Sequence, residues 1–375
     1  MFKKIFIFSI IFCLLTELTS YFLSRYGLFL VNETPKLYKK NKNLLNNYEW
    51  RDEKHPWGAW HLKSSTADHI QSCWNVQYSS NSLGARGREI ENNLQKDIIL
   101  LGDSFAEGWG LSENELFKTL IEKKYNNNVL NLGVSGDVGP ISYYLIYKQF
   151  KDNFKHDNLI LLFFPFNDFT DNDLNYFKKN NNFYFHSNIP RYRPYYKKIS
   201  ENNYKIIYPQ KAIPRETWDG FDIETDNLLF KLEIFLYDNF WFGNAYKTIK
   251  FLFNMNLYEA IFRPRSGYFD STIDQQKAAV YFLEKIVKMA NNKNIFIISI
   301  PRPEDLKRLH NSYEDIEDLH WYKSLKKLDK KNNISFIDLA KFIKNDYKNY
   351  YHKCDGHFNK YGNYQMFKIF EKFYK

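Results

Sequence analysis

Asp97-Ile98-Ile99-Leu100-Leu101-Gly102-Asp103-Ser104-Phe105 is the stretch whose reading decides the rest of the chain. A short continuous apolar run closed by a glycine describes a strand buried on both faces of a parallel sheet. Gly102 lets the backbone turn sharply at the strand's end. Ser104 then falls just past the carboxyl edge, where open α/β sheets bind their ligands. Taken alone, Gly-Asp-Ser is a weak signal, because an ordinary strand-to-helix turn with a capping Asp or Ser gives the same letters. Its position and its company carry the weight.

Similar apolar runs recur at residues 128–132, 159–164, 295–300 and 334–339. Stretches able to form helices separate them, at 113–124, 142–153, 274–290 and 362–374. This alternation indicates an α/β domain over residues 95–375, a parallel central sheet covered on both sides. One interval, about 174–271, breaks the pattern. It is rich in Asn, Lys and Tyr and is interrupted by Pro190, Pro194, Pro209 and Pro214, so it reads as an insertion, partly helical near 228–237 and 242–253. Residues 32–94 are polar and aromatic with few regular periods and read as an extended N-terminal arm packed on the main domain. The arm closes with a turn at Asn81-Ser82-Leu83-Gly84-Ala85-Arg86.

A chain of 375 residues has ample length to bury a core, as one large domain with insertions or as two smaller ones. With 44% hydrophobic residues, 29 Tyr and 34 Phe, it is not a disordered chain. The net charge of +10 comes from Lys residues scattered among Asn and acidic residues, with no single basic block. A mildly cationic surface explains it, and no nucleic-acid partner is expected. Cys13, Cys73 and Cys354 form neither a disulfide framework nor a zinc ligand set. A Cys73–Cys354 bridge stays open for an oxidising compartment, since only geometry could exclude it.

At the N-terminus, Lys3 and Lys4 precede an apolar run from Ile5 to Leu15, and apolar character resumes after Thr16-Glu17 as far as Val31. Cleaved signals end in small residues, whereas Leu18-Thr19-Ser20 and Phe22-Leu23-Ser24 put bulky ones there. Residues 1–31 therefore read as an uncleaved membrane anchor in preference to a signal removed on secretion. The stretch 5–24 supplies the roughly 20 residues that span about 30 Å of hydrocarbon, with Glu17 tolerated near the outer half. By the positive-inside rule the lysine pair stays cytoplasmic and the body is exported to the periplasmic or extracellular side. Cys13 lacks the small preceding residues of a lipoprotein.

Acyl transfer by a serine needs an exposed hydroxyl, a base for its proton, a group that orients the base, and donors aimed at the developing oxyanion. Ser104 is the candidate nucleophile. Asn131-Leu132-Gly133-Val134-Ser135-Gly136-Asp137 follows the second strand, so the Gly136 N–H belongs at the same sheet edge; the plainer reading is a glycine loop. Pro165-Phe166-Asn167-Asp168 follows the third strand and offers the Asn167 side-chain amide; the plainer reading is a helix cap. Asp355-Gly356-His357 lies just ahead of the last helical stretch and pairs a carboxylate with an imidazole.

These four ordered blocks resemble the SGNH/GDSL hydrolase superfamily, whose blocks carry Ser, Gly, Asn and His. The resemblance covers about residues 80–375 and leaves the insertion unmatched. It implies a flavodoxin-like three-layer sandwich, with Ser104 as nucleophile, His357 as base, Asp355 as its orienter, and an oxyanion hole from Ser104, Gly136 and Asn167. The Asn-Ser-Leu-Gly-Ala-Arg stretch before the first block is similar to that of bacterial members that begin with a membrane anchor. Pro165 stands where the family commonly has glycine. Asp355 and His357 are two residues apart instead of three, a spacing associated with exported polysaccharide O-acetylation proteins of the superfamily. A Ser-His dyad oriented by a backbone carbonyl is the alternative to a full triad.

The resemblance implies a serine ester hydrolase acting through an acyl-enzyme on a small-molecule or glycan ester, first among them acylated envelope glycans or lipids. An O-acyltransferase using the same residues, or a catalytically silent binding protein on the same fold, are the alternatives. No cofactor and no metal are expected, since no His-Glu-x-x-His or clustered Cys/His pattern occurs. The insertion's Tyr184, Phe185, Tyr192, Tyr195 and Tyr196 either stack on sugar rings or form the insertion's own core.

Overall fold

The computed structural model describes residues 2–29, 32, 34–38, 51–90, 97–136, 138–176, 192–209, 228–254, 265–311, 315–331, 333–343 and 346–374. The chain opens with helix α1 (Phe2–Arg25). Among the described residues it alone is long and apolar enough to cross a membrane, with mean hydropathy 2.0 over Lys3–Arg25. At 1.5 Å per residue its 24 residues reach about 36 Å, enough for a bilayer core.

The described part of the arm is not extended. It folds into two antiparallel hairpins, β1 (Arg51–His55) with β2 (Gly58–His61), and β3 (Thr66–Gln71) with β4 (Trp74–Ser79). Trp57, Ala59 and Trp60 from the first hairpin enter the main core, while Trp74 and Tyr78 are the buried residues of β4. These strands bury aromatic and polar groups in place of an aliphatic stripe, so their period of two is faint in the sequence.

Five parallel strands form the central sheet: β5 (Ile98–Leu101), β6 (Val129–Asn131), β7 (Asn158–Phe163), then, beyond the insertion's hairpin β8 (Tyr195–Ser200) and β9 (Asn203–Ile207), β10 (Asn294–Ser299) and β11 (Ile334–Asp338). Their spatial order is β11-β10-β7-β5-β6. The first core strand thus lies between the second and third, and the chain reverses direction across the sheet at β5/β7. Ligands of such folds bind at the carboxyl ends of the strands at this switch point.

Side chains alternate across the sheet and split the core in two. Ile99, Leu101, Leu159 and Leu161 face a layer built from helices α4 (Pro140–Phe150), α8 (Ile273–Met289) and α10 (His320–Leu328). Ile98, Leu100, Ile160 and Leu162 face α3 (Phe117–Tyr125), α9 (Pro303–Asn311) and α11 (Lys360–Phe370). This is the expected three-layer α/β sandwich. All four residues of β5 are fully buried, and each such aliphatic side chain contributes about 1.5–3 kcal/mol relative to exposure.

Two short helices, α2 (Ser104–Glu107) and α5 (Pro165–Asp168), follow β5 and β7 directly. The described parts of the insertion hold the β8/β9 hairpin and a helix pair, α6 (Leu228–Asn239) and α7 (Phe242–Asn254), matching the expected helical stretches. Tyr195 is fully buried, with its hydroxyl accepting from Arg193, so it is a core residue of the insertion. Tyr192 stacks on Tyr208, and Tyr196 meets Tyr204 edge-on. Tyr184, Phe185 and Asp137 lie outside the described residues.

Candidate active site

The turn after β5 is shaped by what cannot fit there. Gly102 has φ +152°, and a Cβ on it would come within 2.8 Å of the Ala106 side chain and the Leu162 carbonyl. Asp103 caps the helix that follows, its carboxylate accepting from the Phe105 N–H at 2.9 Å. Ser104 is therefore the first residue of α2, held at the sheet's carboxyl edge beside the switch point. Asn131, at the end of β6, donates to the Ala106 carbonyl at 2.7 Å and fixes the helix from its far end.

His357 comes from a tight loop. Tyr351 and Phe358 pair across it, the His352 N–H donates to the His357 carbonyl at 2.9 Å, and the Asn359 N–H donates to Tyr350. Asn359 then caps α11 by accepting from the Gly362 N–H at 3.0 Å. This loop carries His357 Nε2 to 2.7 Å from Ser104 Oγ, across 253 residues of sequence. On the other side of the ring, Nδ1 meets Asp355 Oδ1, which also accepts the His357 backbone N–H at 2.8 Å. Burial pushes the Asp355 carboxyl up, but the charge of His357 and the hydrogen bonds from its ring and backbone outweigh it and hold the carboxyl well below its usual range. An ionised carboxylate only accepts, so in the neutral form of the ring Nδ1 carries the proton and the Nε2 lone pair faces the serine hydroxyl. Ser104 can thus lose its proton to His357 as its oxygen attacks an electrophilic carbon.

The loop after β6 is bound to the turn that bears Ser104. Val134 N–H donates to the Gly102 carbonyl at 3.3 Å and Ser135 N–H to Glu107 at 2.5 Å. Gly136 follows, with φ +114°. Asn167 sits in α5, where its side-chain amide donates to Asp171 at 3.1 Å and lies near enough to Asp103 to favour that carboxylate. No described hydrogen bond joins Gly136 or Asn167 to Ser104. Burial lifts Asp103 to about 6, against the opposing pull of the Phe105 N–H, His357 and Asn167. Burial and the neighbouring Asp103 also push Asp168 well up, while it accepts from the Tyr143 hydroxyl at 2.6 Å and the Phe164 N–H at 2.7 Å.

Several supporting residues carry no local sequence signal. A narrow cleft beside the pair is lined by Phe105, Trp109, Leu111, Phe358 and Asn363. The Trp109 and Phe105 rings lie 5.6 and 4.9 Å from that of His357. The arm reaches this cleft from behind. Tyr78 of β4 accepts from the Gly110 N–H at 2.7 Å and contacts His69 Nδ1 at 2.6 Å, while the His69 ring packs on Trp109. The Trp74 ring lies 4.5 Å from that of His352, a half-buried imidazole that desolvation lowers to about 4 against the pull of Asp355. Cys73 and Cys354 form a disulfide, with Cα atoms 5.8 Å apart, one residue before Asp355.

Glu107, at the end of α2, is fully buried against His61 of β2, with Oε1 3.3 Å from His61 Nε2. His61 Nδ1 faces the Gly84 carbonyl at 2.9 Å and so carries a proton there. Among the described residues, no cluster of three or more His, Cys, Asp or Glu is arranged to hold a metal ion.

No family model matches the chain, and no curated protein matches it. Among solved structures, it is similar to the lipase Lip_vut3 from a goat rumen metagenome, at 14% identity over 74% of this chain and 97% of that one, with a TM-score of 0.36. It is also similar to a Bacteroides ovatus protein described as a GDSL-like lipase, at 13% identity over 79% of this chain, with a TM-score of 0.34. The chain spans about half, 55%, of that second protein.

Proposed function

We propose that the chain is a serine ester hydrolase of the SGNH/GDSL type. The observation that carries this reading is the continuous relay Asp355–His357–Ser104, closed by the 2.7 Å contact at the carboxyl edge of the sheet. His357 removes the Ser104 proton while Oγ bonds to the ester carbonyl carbon. The tetrahedral oxyanion is received by the N–H groups of Ser104 and Gly136 and by the Asn167 amide, which turns from Asp171 to reach it. The intermediate collapses, the ester C–O bond breaks, and His357 passes its proton to the departing alkoxide. Water then attacks the acyl-serine with His357 again as base, releasing the acid and restoring Ser104. Acylated envelope glycans or lipids are the substrate class that suits an anchored, exported body.

The test is to purify the full chain in detergent and compare wild type with Ser104→Ala for p-nitrophenyl acetate and butyrate hydrolysis and for labelling by a fluorophosphonate. Ser104-dependent turnover and labelling are expected, with turnover falling by about 10⁴-fold or more in the variant. Labelling without hydrolysis would move the assignment to O-acyl transfer onto a sugar hydroxyl. A folded protein with neither signal would leave a silent binding protein on the same fold.

A further inference from the structure

Helix α1 is built into the body over its last third. Glu17 accepts the backbone N–H groups of Trp241 and Phe242, at 2.8 and 3.1 Å, and the Tyr38 hydroxyl at 2.7 Å. It thereby caps the start of α7 and answers the difficulty of a carboxylate in an apolar span. Ser24, fully buried, contacts Asn244 at 2.9 Å, and Arg25 donates to the Ser72 carbonyl. Tyr21, Trp241 and Tyr38 form one ring cluster, with Trp241 5.1 Å from Tyr21 and 5.7 Å from Tyr38. Phe240 and Phe242 stack beside it.

Depth follows from the helical rise. With Lys4 at the inner boundary, Glu17 lies about 20 Å further on and Ser24 about 30 Å, at the outer edge of the hydrocarbon. The junction between α6 and α7 therefore meets α1 about 10 Å below the outer surface, the depth reached by interfacial helices. At that level the helix pair shows solvent an apolar face. Leu228, Leu232 and Phe235 repeat at i, i+4 and i+7 along α6, and α7 adds Ile249; each is more than half exposed. Aromatic residues at the junction match the belt that marks membrane interfaces.

We infer that α6 and α7 form a second membrane contact, lying in the outer leaflet against the anchor, with lipid acyl chains covering Leu228, Leu232, Phe235 and Ile249. The inference rests on α1 remaining as an anchor and is independent of the esterase reading. In this pose the loop bearing His357 rests at the bilayer surface. Gly27, at φ +66° just beyond the anchor, abuts that loop so closely that a Cβ there would fall 1.4 Å from the Lys353 carbonyl oxygen.

The test uses the full oxidised chain carrying Cys13→Ser, with Leu232→Cys labelled by an environment-sensitive nitrobenzoxadiazole dye, in vesicles of phosphatidylcholine and phosphatidylglycerol. Phe235→Cys repeats the measurement at a second position, and Ile199→Cys, exposed on the β8/β9 hairpin, is the control. Positions 232 and 235 are expected to show blue-shifted emission, quenching by doxyl-labelled lipid and protection from aqueous iodide, with the reverse at 199. Iodide quenching at 232 and 235 equal to that at 199 would overturn the inference. Protection from both quenchers would also overturn it, because the face would then be covered by protein, such as a second copy of the chain. No activity enters the readout, so its failure is distinct from failure of the hydrolase assignment.

Discussion

Replacing both Cys73 and Cys354 by serine tests whether the arm holds the histidine loop in place. The bridge joins residues 281 apart. Closing a loop of that length in the unfolded chain corresponds to about 5.6 kcal/mol at 25 °C in the chain-entropy treatment, while measured bridges commonly deliver about 2–4 kcal/mol. The local structure favours the lower range, because other contacts survive the substitution. Trp74 still packs on His352, and Ser72 Oγ still donates to the Asn32 carbonyl at 2.7 Å. The expected outcome is a loss of about 2–4 kcal/mol in stability with a modest fall in turnover, since Asp355 sits next to position 354, which the bridge no longer holds. Urea unfolding of both proteins in the same detergent gives the first quantity, and p-nitrophenyl acetate hydrolysis below the transition gives the second. Reductant should shift wild type and leave the variant unmoved. Identical midpoints and identical turnover would refute the reasoning, as would a reductant effect of equal size on both proteins.

Asp355→Asn keeps an acceptor for the His357 N–H but can offer its amide to Nδ1, which traps the ring with its proton on Nε2. Steady-state kinetics should then show kcat/KM lower by roughly 10³–10⁴-fold with little change in melting temperature; a fall below tenfold would favour a Ser-His dyad. Asp103→Asn keeps the cap on α2 but removes a carboxyl whose folded pKa is raised to about 6. A raised pKa means that the folded state holds its proton longer, so wild-type stability should decline as pH rises from about 4 to about 6 and level off above. The variant should lack that decline and gain on wild type more at pH 8 than at pH 4; parallel denaturation curves at both pH values would sink the idea.

What the sequence disclosed follows from how each part is stabilised. The five core strands were legible because strands buried on both faces read as unbroken apolar runs, and their ends differ from expectation by one residue or so. Ser104, His357 and Asp355 were legible because each lies beside a strand end or a helix start whose local chemistry is recognisable. The start of α9, Pro303-Glu304-Asp305, carries a helix signal of the same kind, a proline in the first turn followed by two acids, in a stretch that the apolar alternation leaves unassigned. The arm's hairpins were hidden because β3 exposes or half-exposes all but His69, leaving no stripe to count. The buried pairing of His61 with Glu107 joins positions 46 residues apart by a turn of tertiary structure that no local pattern encodes.

That hidden arm explains how so small a helix as the one bearing Ser104 stays ordered. A helix of four residues such as α2 is far below the length at which helices persist unaided. Asp103 and Asn131 fix its ends, but the residues just beyond it depend on the arm. Tyr78 takes the Gly110 N–H, Arg86 donates to the Leu111 carbonyl at 3.0 Å, and Glu107 is anchored on His61. On the opposite side of the cleft, Trp74 and the Cys73 bridge hold the loop that carries His357. A 2.7 Å contact between groups 253 residues apart requires both partners to be immobilised against a common body. One hairpin, β3 with β4, touches the neighbours of both: Tyr78 and His69 meet Gly110 and Trp109 just beyond α2, and Trp74 meets His352 in the histidine loop, so a single element braces the two sides of the Ser104–His357 contact.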